Sequence, residues 1–244
     1  MKHSAWFALI AIIACALPAW GDDFDSAGVK IHYTITGQGD PVILIHGLYS
    51  SGAMNWDLPG ITAELAKSHE VITFDLRGHG KSDKPAGESA YGVEMSEDVL
   101  RLMDHLHIAK AKIAGYSLGG MIAMKFVVMH PDRVTSAVLG GMGWLRQGGY
   151  LQRVWEDKTP RNTMGTPVAC VNAIANLAVT RDQVLAIKVP MTVLVGDRDP
   201  TRVLYVKPLE QLRPDIPVHV ITGAGHIECV TKPEFKEDLA AALK

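Results

Sequence analysis

Short apolar runs bounded by glycine, proline and acidic residues alternate with amphipathic stretches along most of this 244-residue chain. That alternation is the pattern of strands in a parallel sheet wrapped by helices, an α/β architecture. Strands are predicted at residues 29–34, 41–45, 71–74, 111–114, 134–139, 191–195 and 218–221. Helices are predicted at 58–67, 96–105, 118–130, 167–177, 202–212 and 233–243, the last with Phe235, Leu239 and Leu243 on one face at a spacing of four. Several strands are apolar on both faces, as expected when helices cover the sheet on each side. Functional residues should then collect beyond the strands' carboxyl ends. His46, Asp75, Ser117, Asp197, Asp199 and His226 all fall just after a predicted strand.

The first 21 residues break the alternation. Lys2 is followed by nearly continuous apolar sequence, then by Pro18 and the small residues Ala19 and Gly21. The run is shorter than the ~20 residues that span a bilayer and ends in a small-residue site, so it reads as a signal peptide cleaved after Gly21. Residues 22–244 then form one exported domain, periplasmic or secreted. An alternative fate is a lipoprotein anchored through Cys15, although the apolar run continues past that cysteine. Either way the mature chain carries no stable membrane span, and its oligomeric state is left open.

With 48% hydrophobic residues the chain can bury one substantial core. Its formal net charge of −2 becomes −3 when the leader goes, because Lys2 is the leader's only charged residue. No basic stripe is present, which argues against nucleic acid and points to a small neutral substrate. Cys170 and Cys229 are far apart and lack metal-type spacing; two buried free thiols are expected rather than a disulfide.

The chemistry centres on Gly115-Tyr116-Ser117-Leu118-Gly119, placed between a strand and a helix. A serine at the tip of such a turn needs small neighbours, because the backbone is strained and the following helix packs close to the strand. Serine also needs a base within hydrogen-bond reach, and the base needs an acid to orient it. Of ten histidines, His226 follows the final strand in a glycine-rich loop, whereas His69, His105, His107, His130 and His219 lie in or beside helices and strands. The turn Gly196-Asp197-Arg198-Asp199-Pro200 offers two carboxylates. Asp199 is preferred as the acid, because the first aspartate of such a turn commonly bonds its own backbone. The oxyanion donors are expected to be the backbone N–H groups of Leu118 and Leu48. His46 is read as a ring that shapes the oxyanion loop. Residues 75–82 resemble a phosphate loop but lack its spacing, and are read as a structural turn.

Taken together, His46-Gly47, residues 75–82, Gly115 to Gly119, Gly196 to Pro200 and Gly223 to His226 stand in the order of the α/β-hydrolase superfamily. The chain resembles its serine hydrolases, the carboxylesterase-like group, over residues 29–243. The resemblance implies the α/β-hydrolase fold, a triad of Ser117, Asp199 and His226, ester hydrolysis without metal or organic cofactor, and a helical cap. Only about residues 144–166 are free for that cap, so a short lid is expected, with Trp144, Tyr150 and Trp155 as a lip. The same triad also serves thioesterases, perhydrolases and acyltransferases, and the fold can carry a non-catalytic binding protein.

Overall fold

The computed structural model describes residues 20–159 and 163–244. Cys15 and most of the predicted leader lie outside the described residues; its last two positions, Trp20 and Gly21, belong to the first strand. Eight strands form one sheet: β1 (Trp20–Asp25), β2 (Lys30–Gly37), β3 (Asp40–Ile45), β4 (His69–Phe74), β5 (Ala111–Tyr116), β6 (Val134–Gly140), β7 (Met191–Gly196) and β8 (Val218–Ile221). Their spatial order is β1-β2-β4-β3-β5-β6-β7-β8. The β1–β2 and β2–β4 pairs are antiparallel and the other five pairs are parallel. The helices are α1 (Ile61–Leu65), α2 (Val93–His105), α3 (Leu118–Met129), α4 (Tyr150–Glu156), α5 (Val168–Asn172), α6 (Arg181–Ala186), α7 (Lys207–Leu212) and α8 (Pro233–Ala242).

Strand β3 shows why the sheet is covered twice. Ile43 and Ile45 project into one apolar layer with Val99 and Leu102 of α2 and Ile122 and Phe126 of α3. Val42 and Leu44 project into the other, with Ile61 and Leu65 of α1 and Phe235 and Leu239 of α8. All four β3 side chains are fully buried. Each such side chain contributes about 1.5–3 kcal/mol relative to exposure, so neither face tolerates water.

The topology places the loops that matter. Strand β3 lies between β4 and β5, and Ile45 pairs with Gly115, so the His46-Gly47 loop emerges beside Tyr116-Ser117. Gly196 pairs with Ile221, which sets the loops after β7 and β8 side by side. The turn after β4 is held by its own polar bonds. Asp75 accepts from Gly52 N–H at 2.9 Å and Lys81 N–H at 2.8 Å. Arg77 grips the fully buried Asp98 through Nε at 2.7 Å and Nη2 at 2.6 Å. Such a bidentate pair is stronger than a neutral hydrogen bond and fixes geometry as well as energy.

Several elements depart from the expectation. Strand β1 was not predicted; it is an edge strand whose residues carry three aspartates, and it exists through its pairing with β2. The predicted helix at 167–177 is α5 followed by a tighter turn, Ile174–Leu177. The predicted helix at 202–212 begins as a wide turn, Arg202–Val206, in which Lys207 N–H bonds Arg202 O. Pro208 has no N–H to donate to the ladder, and the turn before it slips by one residue. A second wide turn, Ala53–Asp57, and the helices α4 and α6 were not foreseen. Among the described residues no helix is long and apolar enough to cross a membrane.

Candidate active site

Ser117 stands between β5 and α3 with φ 54° and ψ −115°, in the left-handed half of backbone space. A non-glycine residue there is strained and needs the surrounding structure to hold it. The hold comes from close packing on both sides. A Cβ on Gly115 would lie 2.0 Å from Gly119 O, and one on Gly119 would lie 2.0 Å from Ile45 O. Only glycine lets α3 approach β5 and β3 this closely. Ser117 N–H also donates to Gly140 O at 2.8 Å, tying the elbow to β6.

The structure brings the predicted serine, histidine and Asp199 together. His226 Nε2 lies 2.8 Å from Ser117 Oγ, and His226 Nδ1 lies 2.7 Å from Asp199 Oδ2. With Nδ1–H donating to the carboxylate, Nε2 presents a lone pair to the serine hydroxyl. Asp199 is 2% exposed, and its Oδ1 accepts from Thr201 N–H at 2.8 Å. Burial works against its charge, yet the bonds from His226 and Thr201 prevail and hold its carboxyl below the ordinary value. It is therefore the charged partner of the ring at neutral pH.

Asp197 is not at the histidine. It accepts from Ala224 N–H at 3.1 Å, and its carboxyl is lowered first by the Gly223 backbone bond. It also takes a backbone bond within its own turn, at Arg198, as expected, and beyond that it spans two loops and pins the one carrying His226. Arg198 N–H adds a bond to Ala224 O at 3.0 Å.

Leu48 and Leu118 flank the serine, and neither backbone N–H donates to the protein among the described residues. Leu118 is the first residue of α3, where the helix dipole favours negative charge. His46 is buried and neutral in role: Nδ1–H donates to Gly47 O at 2.7 Å, and Nε2 accepts from Leu76 N–H at 2.9 Å. Burial lowers its pKa. Its ring bonds backbone and shapes the loop.

Two positioning residues escaped the sequence reading. Asn55, in the first wide turn, accepts from Gly47 N–H at 3.0 Å through Oδ1 and so orients the peptide leading to Leu48. Tyr116, inside the serine motif, donates its hydroxyl to His226 O at 2.5 Å, with its ring 5.5 Å from the imidazole. Burial raises the Tyr116 hydroxyl far above its ordinary value, so it remains a donor. Asn55 left no sequence signal, whereas Tyr116 sat within the motif.

Ser117, His226, Leu48 and Leu118 open onto a cavity of about 200 Å³, lined also by Met121, Met142, Trp155, Ile174, Thr201 and Tyr205. Larger surface hollows of about 330 and 320 Å³ are lined by Glu64, His69 and Lys244 and by Asp23, Lys30 and Lys81, away from the serine. Of the three aromatics expected at the lip, only Trp155 lines the cavity. Trp144 is buried and donates Nε1–H to Val179 O at 2.9 Å, and Tyr150 is 73% exposed. Cys170 and Cys229 are free and buried; burial pushes their thiols up to about 12 and about 11. Among the described residues no group of three or more His, Cys, Asp or Glu is arranged to hold a metal ion.

The sequence model of the alpha/beta hydrolase fold matches residues 40–163. A protein of Azorhizobium caulinodans named as a carbamate hydrolase is 35% identical over 155 residues, 64% of this chain and 55% of its own. The 2-hydroxymuconate semialdehyde hydrolase of a Pseudomonas species is 36% identical over 130 residues, 51% of this chain and 44% of its own. The chain spans about half, or less, of the length of these curated relatives. A solved serine hydrolase from the polyaromatic-hydrocarbon-degrading bacterium Cycloclasticus zankles superposes with a TM-score of 0.74 at 17% identity, over 91% of this chain and 97% of that one. At that identity the likeness concerns the fold.

Proposed function

Because the chain belongs to the α/β hydrolase fold family, we propose that it hydrolyses carboxylic esters of small or medium neutral substrates through an acyl-enzyme on Ser117. One observation carries the reading: the unbroken line from Ser117 Oγ through His226 to Asp199, with bonds of 2.8 and 2.7 Å, at the wall of a largely apolar cavity.

In the first half-reaction Ser117 Oγ attacks the ester carbonyl while its proton passes to His226 Nε2. Asp199 stabilises the resulting imidazolium across the Nδ1–H bond. The carbonyl oxygen becomes an oxyanion and takes hydrogen bonds from Leu48 N–H and Leu118 N–H, which need no reorientation as the charge forms. His226 then protonates the departing alcohol oxygen, leaving the acyl group on Ser117. In the second half His226 takes a proton from water, whose oxygen attacks the acyl carbon, and the acid leaves as Ser117 regains its proton. Asn55 and Tyr116 hold the oxyanion loop and the histidine loop in place.

Labelling by a fluorophosphonate probe tests this. The wild-type chain should label and Ser117→Ala should not, with nitrophenyl ester hydrolysis lost in parallel. Labelling that survives the substitution refutes the assignment of the nucleophile.

A further inference from the structure

Resting on the ester-hydrolase reading above, we propose that the site selects short, uncharged acyl groups and is permissive toward the alcohol, with the Trp155–Tyr205 pair setting the acyl length. Three observations carry this, beginning with size. A cavity of about 200 Å³ falls below the roughly 300–1,000 Å³ of pockets that enclose drug-sized ligands. That suits a short acyl chain and excludes a fatty one.

The second observation is the lining. Beyond Ser117, His226 and Thr201, whose buried hydroxyl has no hydrogen-bond partner among the described residues, the walls are apolar or aromatic, with Met121, Met142 and Ile174 among them, and no Lys, Arg, Asp or Glu among the described residues lines the cavity. A carboxylate on the acyl group would enter without a cation to pair it, and an unpaired charge away from water is strongly disfavoured.

The third is an asymmetry between the two sides of the serine. On the acyl side Trp155 Nε1–H donates to Tyr205 Oη at 3.1 Å, joining α4 to the wide turn after β7. Tyr205 is itself anchored, because its backbone carbonyl accepts from Trp144 N–H at 2.9 Å. This end is lined by a bonded pair whose far partner is held at its backbone. His226 lines the same cavity and must also reach the leaving alcohol; its side chain is 28% exposed, and the neighbouring Ile227, outside the lining, is 79% exposed. The acyl half of the ester is placed in the cavity and the alcohol half toward solvent.

The test uses the full chain with two ester series. In the first, nitrophenyl esters carry acetyl, butanoyl, hexanoyl or dodecanoyl groups; in the second, butanoate is joined to alcohols of increasing length. The wild type should lose about 10-fold or more in kcat/KM from butanoyl to dodecanoyl, since each methylene that does not fit is felt in a small, mostly apolar pocket. Lengthening the alcohol should change kcat/KM by less than about 3-fold, because no comparable pocket encloses it. Trp155→Ala should raise the dodecanoyl-to-butanoyl ratio about 10-fold, and Tyr205→Phe should raise it by a smaller factor by releasing Trp155. The ratio is read because partial unfolding scales both esters alike. Equal rates on butanoyl and dodecanoyl esters, or an unmoved ratio in Trp155→Ala, overturn this inference whenever Ser117 still labels with fluorophosphonate. Absence of Ser117 labelling overturns the hydrolase reading, and this inference falls with it.

Discussion

Asp197 and Asp199 pose the sharpest question at the residue scale. Both follow β7 and both carry lowered carboxyl values, but for different reasons: Asp197 is held by the Gly223 and Ala224 backbone, Asp199 by His226 and Thr201 against its own burial. Asp199→Asn keeps the shape and removes the charge. Its amide would turn a donor toward either Thr201 N–H or His226 Nδ1, and the ring would shift to the tautomer that presents N–H to Ser117. We expect kcat on a nitrophenyl ester to fall about 10³- to 10⁴-fold with the fold intact by circular dichroism. A loss under about 10-fold would remove Asp199 from the proposed triad. The sequence alone left the two carboxylates nearly alike, because the partner that separates them sits 27 positions away in the loop after β8.

At the scale of elements, the site depends on how closely α3 can approach β3 and β5. Gly119→Ala would set a methyl 2.0 Å from Ile45 O, a backbone atom that cannot rotate aside. The helix must back away, at a cost of about 1–3 kcal/mol, and Leu118 N–H moves with it. Urea unfolding should report the lost stability and esterase assays a reduced kcat, whereas Gly87→Ala, where the nearest atom is Ser89 Oγ at 3.6 Å, should leave both near wild type. The two wide turns have a similar positional meaning. Ala53–Asp57 carries Asn55 to the oxyanion loop, and Arg202–Val206 carries Tyr205 to the cavity. Widened turns of this kind often occur at functional sites. Pro208 was a visible cause for the second; nothing comparable marked the first. The capping box of α6 is written in the sequence as Thr180-x-x-Gln183: Gln183 N–H donates to Thr180 Oγ1 at 3.1 Å and Thr180 N–H to Gln183 Oε1 at 2.8 Å.

For the molecule as a whole, buried histidines tie stability to pH. His79 is 3% exposed, and burial followed by repulsion from His46 lowers its pKa from 6.5 to about 3. Between those values the unfolded chain binds a proton that the folded chain refuses, so folding stability is full above pH 6.5 and declines as pH falls toward about 3. One pKa unit corresponds to about 1.4 kcal/mol, so acidification from pH 7 to pH 5 costs about 2 kcal/mol through His79 alone. His46 acts in the same direction. Urea unfolding at the two pH values should show His79→Gln losing about 2 kcal/mol less than wild type. An equal loss would mean that His79 takes its proton while folded.

Periodicity and turn chemistry were enough to determine seven of the eight strands, the two-sided burial of the sheet, and the strand ends on which Ser117, Asp199 and His226 stand, because those features are written in neighbouring residues. The edge strand β1 was invisible, since its polar sequence becomes a strand only by pairing with β2. Contacts across long separations belonged to the tertiary structure: Asn55 on Gly47, Tyr116 on the His226 carbonyl, Asp197 on the loop after β8, and Trp155 on Tyr205. The physical reason is that hydrogen bonds and cavity walls depend on distances in space. Spacing along the chain constrains those distances only within one turn or one strand.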